Sequence, residues 1–240
     1  NKQGYRIDEV EFHPAYHALM HEAVHAGLHG AVFSPEQQAT GHAHQLRAAG
    51  FMMFTELEPS ILCPISMTYA VMPALHGNEA IFKDWAPGLT ARAYDPELKL
   101  FSQKRGLTMG MGMTEKQGGS DVRAGTTQAV PNGPDSGGSY TLTGHKWFTS
   151  AAMSDIFLVL AQAPGGLSCF LLPRVLPDGT RNRMFIQRLK DKLGNHANAS
   201  SEIEYDGATV WLVGEEGRGV PTIIEMVNLT RLDCTLGSAT

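Results

Sequence analysis

The chain has 240 residues, of which 42% are hydrophobic and 18% charged, enough material for one large globular domain or two smaller ones. A formal charge of −5 excludes the overall basic balance of a free-standing nucleic-acid binder, and no apolar run approaches the roughly 18 residues of a membrane span. Cys63, Cys169 and Cys234 are odd in number and lack CxxC or Cys/His zinc spacing, which fits a reducing, cytoplasmic location.

No signal peptide is read at the start. The chain opens on Asn1 and stops at Thr240 inside a helical pattern, so a fragment of a longer protein is expected. His13-Pro14 opens a first predicted helix, whose Tyr16, Leu19, Met20, Ala23, Val24 and Leu28 recur on one face before Gly27 and Gly30 loosen its end. Along it His13, His17, His21, His25 and His29 recur at every fourth position. Each step turns a further ~40° around the helix, so neighbouring pairs could chelate but all five could not. The row reads as a solvated helix face, and no metal site is predicted.

Ser34-Pro35-Glu36-Gln37 supplies a capping serine and a proline at the first helical position, starting a second helix that runs to Glu58-Pro59. A third and more thoroughly apolar helix follows Pro64 with Ile65, Met67, Tyr69, Val71, Met72 and Leu75, closing at His76-Gly77-Asn78. A short helix around residues 79–85 completes this segment. From about Thr108, β-prone runs at 139–143, 156–161, 168–172, 184–188 and 210–213 alternate with turn residues, giving a small antiparallel β domain. Residues 131–138 read as a surface loop between two of its strands. After the glycine-rich stretch 214–219 a helical period returns with Ile223, Met226, Val227 and Leu229.

Within the β region, GMGMTEKQGGSDV at 110–122 exposes a bare backbone beside short hydroxyls, a composition that suits phosphate binding. Neither standard phosphate pattern is present. Gly110-Met111-Gly112 is followed three positions later by Glu115, and strands follow it where a dinucleotide fingerprint needs a helix; no Gly-Lys-Ser/Thr occurs. Downstream, GHKWFTSAAMSD at 144–155 places a lysine, two aromatics and hydroxyls on another predicted strand.

Thr114-Glu115 with Gly119-Ser120-Asp121, and Gly144-x-Lys146-x-aromatic-x-Ser150, together resemble the two flavin signatures of the acyl-CoA dehydrogenase family. The segments KRGLTMGMGMTEKQGGSDV, HKWF, GGLSCFLLPR, LPDG, RLKDKLGN and TRLDCTLGS are similar to its AidB-type, alkylation-response branch, from about Arg6 to the last residue. The resemblance implies an α+β fold with an N-terminal helical domain (1–107, partial), a middle antiparallel β-barrel-like domain (108–215) and the start of a C-terminal four-helix bundle (216–240, truncated). The α, β, α order read from the residues agrees with it.

By the same resemblance the cofactor is FAD, and Met111, Gly112, Met113, Thr114, Glu115, Lys116, Gln117, Gly118, Gly119 and Ser120 line it, with Thr114 on the pyrimidine edge and Ser120 at the diphosphate. Phe148, Thr149 and Ser150 are expected as further flavin neighbours, Ser150 donating to N5. Trp147 is expected on the opposite face of its strand from Phe148, in a packing role. The implied reaction is α,β-desaturation of an acyl-CoA thioester with hydride transfer to flavin N5; the alternative is a DNA-binding flavoprotein of the alkylation-damage response with little acyl-CoA turnover.

The family's helix position for a catalytic base is here Thr230-Arg231, with no carboxylate, so the base is expected beyond residue 240 and neither Asp233 nor Glu225 replaces it. Arg231 either shapes the acyl pocket or serves as an ion-pair partner. Arg181, Arg183, Arg188, Lys190 and Lys192 either touch a polyanion or are scattered surface charge; DNA contact in the branch is assigned to the C-terminal region. A homo-oligomer, a tetramer in the full-length protein, is implied, with a neighbouring subunit completing the FAD site.

Overall fold

The computed structural model describes residues 2–240. Helices α1 (Pro14–His25), α2 (Pro35–Ala39), α3 (Ala43–Leu57), α4 (Leu62–Leu75) and α5 (Glu79–Thr90) precede the strands, and α6 (Gly219–Ser238) follows them. Helix α1 starts where Pro14 sets the first turn and the His13 ring accepts from the Ala15 N–H at 3.1 Å. Its Met20, Ala23 and Val24 pack on Phe51, Ile61 and Ile65. The single helix expected over residues 34–59 is two helices, because Gly41 adopts φ +70° between them and a right-handed helix cannot pass through that conformation. Eleven of the fourteen residues of α4 are buried, so this helix is covered on all sides, as its unbroken apolar sequence predicts. No described helix is long and apolar enough to cross a membrane.

The strands are β1 (Met109–Gly112), β2 (Gln128–Pro131), β3 (Ser139–Ser150), β4 (Ile156–Ala163), β5 (Gly166–Pro173), β6 (Met184–Leu189) and β7 (Ser201–Val213). They close into a barrel, because β1 pairs with both β3 and β4, and the circuit continues through β5 and β7 back to β3. Strand β2 takes over from β1 between β3 and β4, and β6 covers the first half of β7. The pairings of β4 with β1 and β2 are parallel, so the sheet is mixed where an antiparallel one was expected.

Alternation sorts the side chains. Leu142, Phe157, Val159, Phe170, Leu172 and Ile203 fill the barrel, while Met109, Leu158, Leu160 and Leu171 face outward against Met72, Leu89, Ile223 and Met226 of the helices. Strand β4 is thus buried on both faces, which explains its continuous apolar run.

Helix α6 is tied to α3 by a buried ion pair. Arg47 donates to both Asp233 oxygens at 2.5 and 2.7 Å and to the Leu28 carbonyl at 2.7 Å, and its guanidinium lies 3.5 Å from the Tyr69 ring centre. Removing one partner leaves a buried charge uncompensated. Asp233→Asn is therefore expected to lower stability by about 3 kcal/mol or more in urea unfolding, whereas Arg47→Met combined with Asp233→Leu recovers most of the loss.

Candidate cofactor site

Two segments about thirty residues apart in sequence form one surface at the end of β1. Met111 pairs with Ser150 and Gly112 with Thr149. A Cβ on Gly112 would sit 3.2 Å from both Lys146 Cγ and Thr149 Oγ1, so glycine permits this approach. Beyond the strand the contact continues: the Trp147 N–H donates to the Thr114 carbonyl at 2.8 Å, and the Lys116 N–H to His145 Nε2 at 3.2 Å. The residues 111–120 and 148–150 predicted from sequence are thereby brought together.

What fixes this junction lies inside it. Lys146 projects into the barrel and its ammonium is 2.7 Å from Glu115 Oε1, both side chains being about 98% buried or more. Oε1 also accepts from the Thr127 N–H and hydroxyl at 3.1 and 2.7 Å, and Oε2 from those of Thr126 at 2.6 and 3.0 Å. Burial on its own would raise the Glu115 carboxyl, but Lys146 and the two threonines prevail and bring it from 4.5 to about 2. The same burial pushes the Lys146 ammonium below its usual range against the pull of Glu115. Glu115, expected among the cofactor neighbours, thus spends its carboxylate inward, as the anchor of the glycine-rich loop.

The expected alternation of Trp147 and Phe148 fails. Lys146 stands opposite Ile203 and Thr149 opposite Ser201, three steps on β3 against two on β7, so residues 147–148 form a β-bulge. Lys146 and Thr149 both point inward, and both bulge aromatics meet the same ammonium, Lys190 Nζ lying 3.4 Å from the Trp147 ring centre and 4.6 Å from that of Phe148. Phe148 remains 43% exposed. Thr149, also expected beside the cofactor, directs its hydroxyl into the barrel near Tyr205, where neither oxygen has a hydrogen-bond partner, so only its backbone belongs to the outer surface.

Ser150 reaches the edge of the site near Cys63 of α4; burial pushes the Cys63 thiol up, against Asn198, Ser150 and Lys192. Thr114 is half-buried, and a Cβ on Gly119 would come within 2.7 Å of its hydroxyl. Lys116, Gln117, Gly119 and Ser120 are exposed, while Met111, Met113 and Gly118 are half-buried. Cys63, Thr126, Thr127 and Lys190 are site neighbours that the sequence reading did not single out. A lysine in mid-strand was the one available signal.

The histidine row is not a uniformly solvated face. His17 bonds the Tyr94 hydroxyl at 2.9 Å, and His29 lies buried beyond the helix end with Nε2 2.9 Å from the Ala91 carbonyl. Among the described residues no group of three or more His, Cys, Asp or Glu is placed to hold a metal ion. The basic cluster is internally matched: Arg181 pairs with Glu9, Arg183 with Asp206, and Arg188 and Lys190 with Glu202, while Lys192 donates to the Asn198 carbonyl. Arg231 and Glu225 are exposed, and Asp233 is occupied by Arg47.

Residues 1–96 match the adaptive response protein AidB N-terminal domain, and residues 110–208 the acyl-CoA dehydrogenase middle domain. The chain belongs to the acyl-CoA dehydrogenase family. It is 51% identical over 237 residues to the acyl-CoA dehydrogenase homologue AidB of Escherichia coli, a match covering 98% of this chain and 43% of that protein. Acyl-CoA dehydrogenase family member 11 of Caenorhabditis elegans is 34% identical, over 81% of this chain and 32% of its own. The structure of the C. elegans ACDH-11 in complex with C11-CoA superposes with a TM-score of 0.85 at 29% identity, over 99% of this chain and 41% of that one. Butyryl-CoA dehydrogenase from Megasphaera elsdenii shares the fold at a TM-score of 0.72 and 20% identity, over 92% of this chain and 56% of that one. The chain thus spans less than half the length of the first two relatives.

Because the Glu115 carboxyl is held below its ordinary value, the stability it contributes is complete above pH 4.5 and is lost as pH falls through about 2. Glu115→Gln should flatten that acid limb. At neutral pH it leaves the Lys146 ammonium buried without its carboxylate, which is expected to cost about 3–5 kcal/mol in thermal or denaturant unfolding.

Proposed function

We propose that residues 111–120 and 147–150 form one wall of an FAD site, and that the protein is an FAD-dependent oxidoreductase acting on an acyl-CoA thioester. The observation that carries the reading is the junction itself, in which the Met111–Ser150 pairing and the Trp147-to-Thr114 hydrogen bond align both flavin-signature segments along one edge. The groups at that edge fit an isoalloxazine ring: half-buried Met111 and Met113, the Thr114 and Ser150 hydroxyls, and the exposed aromatic Phe148. Lysine and glutamate, whose charges would have to be desolvated against the ring, are turned inward as a pair.

In this reading Thr114 holds the pyrimidine edge, Ser150 offers its hydroxyl at N5, and the exposed backbone and hydroxyl of residues 118–120 meet the diphosphate. FAD, when bound, supplies the hydride acceptor for oxidation at the acyl β-carbon. Arg123 and Arg218 line an open cleft with Gln162 and Val220 at the start of α6, where an anionic carrier group such as that of coenzyme A would find two guanidiniums. Asp233 is held by Arg47 and is not assigned as the α-proton base, and a second copy completes the FAD site. Three free thiols support a cytoplasmic setting. The DNA-binding alternative draws little support from the basic cluster, in which Arg181, Arg183, Arg188 and Lys190 already pair with carboxylates.

The whole protein that contains this chain, purified with FAD, is expected to lose its visible flavin band when straight or branched acyl-CoAs are added anaerobically. A yellow protein that bleaches with none of them would overturn the oxidoreductase reading. Ser150→Ala should weaken FAD binding or slow reduction by roughly 2- to 10-fold, the worth of one hydrogen bond.

A further inference from the structure

Lys190 is unlike an ordinary surface lysine. Only 7% of its side chain is exposed, and its ammonium is anchored on Glu202 Oε1 at 2.7 Å. Glu202 is itself held by Arg188 Nε at 2.8 Å, and the Lys190 N–H donates to the Ser200 carbonyl at 2.8 Å, so both ends of the lysine are fixed to β7 or the residue before it. The fixed ammonium lies against the faces of Trp147 and Phe148 together.

These two rings need such a fixture. A bulge removes the regular register that would otherwise set their directions. Phe148 is 43% exposed, so burial alone leaves its side chain free to choose among rotamers. A cation on an aromatic face contributes most when it is desolvated, and indole is the best acceptor. An ammonium shared between two rings therefore selects the one arrangement in which both faces meet it.

We propose that Lys190 is a positioning residue of the flavin site: anchored on Glu202, it clamps Trp147 and Phe148 so that Phe148 presents a fixed aromatic wall to the cofactor. The inference rests on the FAD reading above, and it adds a residue to which no flavin contact is assigned. Lysine serves here because its compact charge fits between two rings and a carboxylate.

The test compares wild type, Lys190→Met and Lys190→Arg in the full chain, by FAD titration, by the resolution of the bound-flavin absorption band and by thermal unfolding. Lys190→Met, which keeps the length and loses the charge, is expected to weaken FAD binding roughly tenfold and to blur the bound-flavin spectrum while remaining folded. Lys190→Arg, able to stack on aromatics and pair with Glu202, should restore most of both. In the apoprotein, Lys190→Met should also shift tryptophan emission, and Trp147→Phe should abolish that shift. A wild type that takes up FAD while Lys190→Met matches it in affinity and spectrum would overturn the clamp and leave the flavin reading standing. A wild type that takes up no FAD would overturn both.

Discussion

A carboxylate and an ammonium placed inside a β-barrel must find each other, and most of the site geometry follows from that requirement. Glu115 belongs to the loop that follows β1, and Lys146 belongs to the long strand β3. Joining them brings the glycine-rich loop down onto β3, and Thr126 and Thr127 close the far side of the same carboxylate. Once Lys146 points inward and Thr149 does so as well, two inward positions stand three steps apart, and a regular strand cannot supply that spacing. The bulge at Trp147 and Phe148 is the consequence. It turns two aromatics toward the outer surface and brings Ser150 beside Met111.

The barrel is in turn held by its outer face. Strands β1, β4 and β5 present a second apolar surface that α4, α5 and α6 cover, so the cofactor edge stands on a base buried from both sides. The Arg47–Asp233 pair sets where α6 lies and uses the carboxylate nearest the family's helix position for a base. With that carboxylate committed to Arg47, its role in this chain is structural.

Much of this was legible in the sequence. The α, β, α order, the fully buried character of α4 and the loop between β2 and β3 came from periodicity and turn residues, which report on local burial. The resemblance of the two signature segments singled out two stretches that the fold does bring side by side. The failures are equally physical. Gly41 divides one predicted helix because propensity over a window does not weigh a single left-handed residue. Strand β7 is much longer than the apolar run 210–213, since its first half alternates polar and apolar residues and is defined by β3 and β6 as partners. Strand β2 has four residues and a mixed pattern, and it exists because β3 and β4 leave a gap beyond β1. The directions of Trp147, Phe148 and Thr149 depend on register with β7, which no local alternation contains. His29 is buried although it continues a row of exposed histidines, because it lies past the end of α1.

The anchoring role of the buried pair is tested most directly by FAD titration of the full chain in which Glu115 and Lys146 are both replaced by methionine. Removing both charges at similar volume avoids an unpaired buried ion and keeps the barrel folded, while releasing the loop from β3. The predicted result is a folded protein, with a lowered unfolding midpoint because the Thr126 and Thr127 donors lose their acceptor, whose FAD affinity falls by roughly tenfold or more. Wild-type FAD affinity in that folded double variant would contradict it.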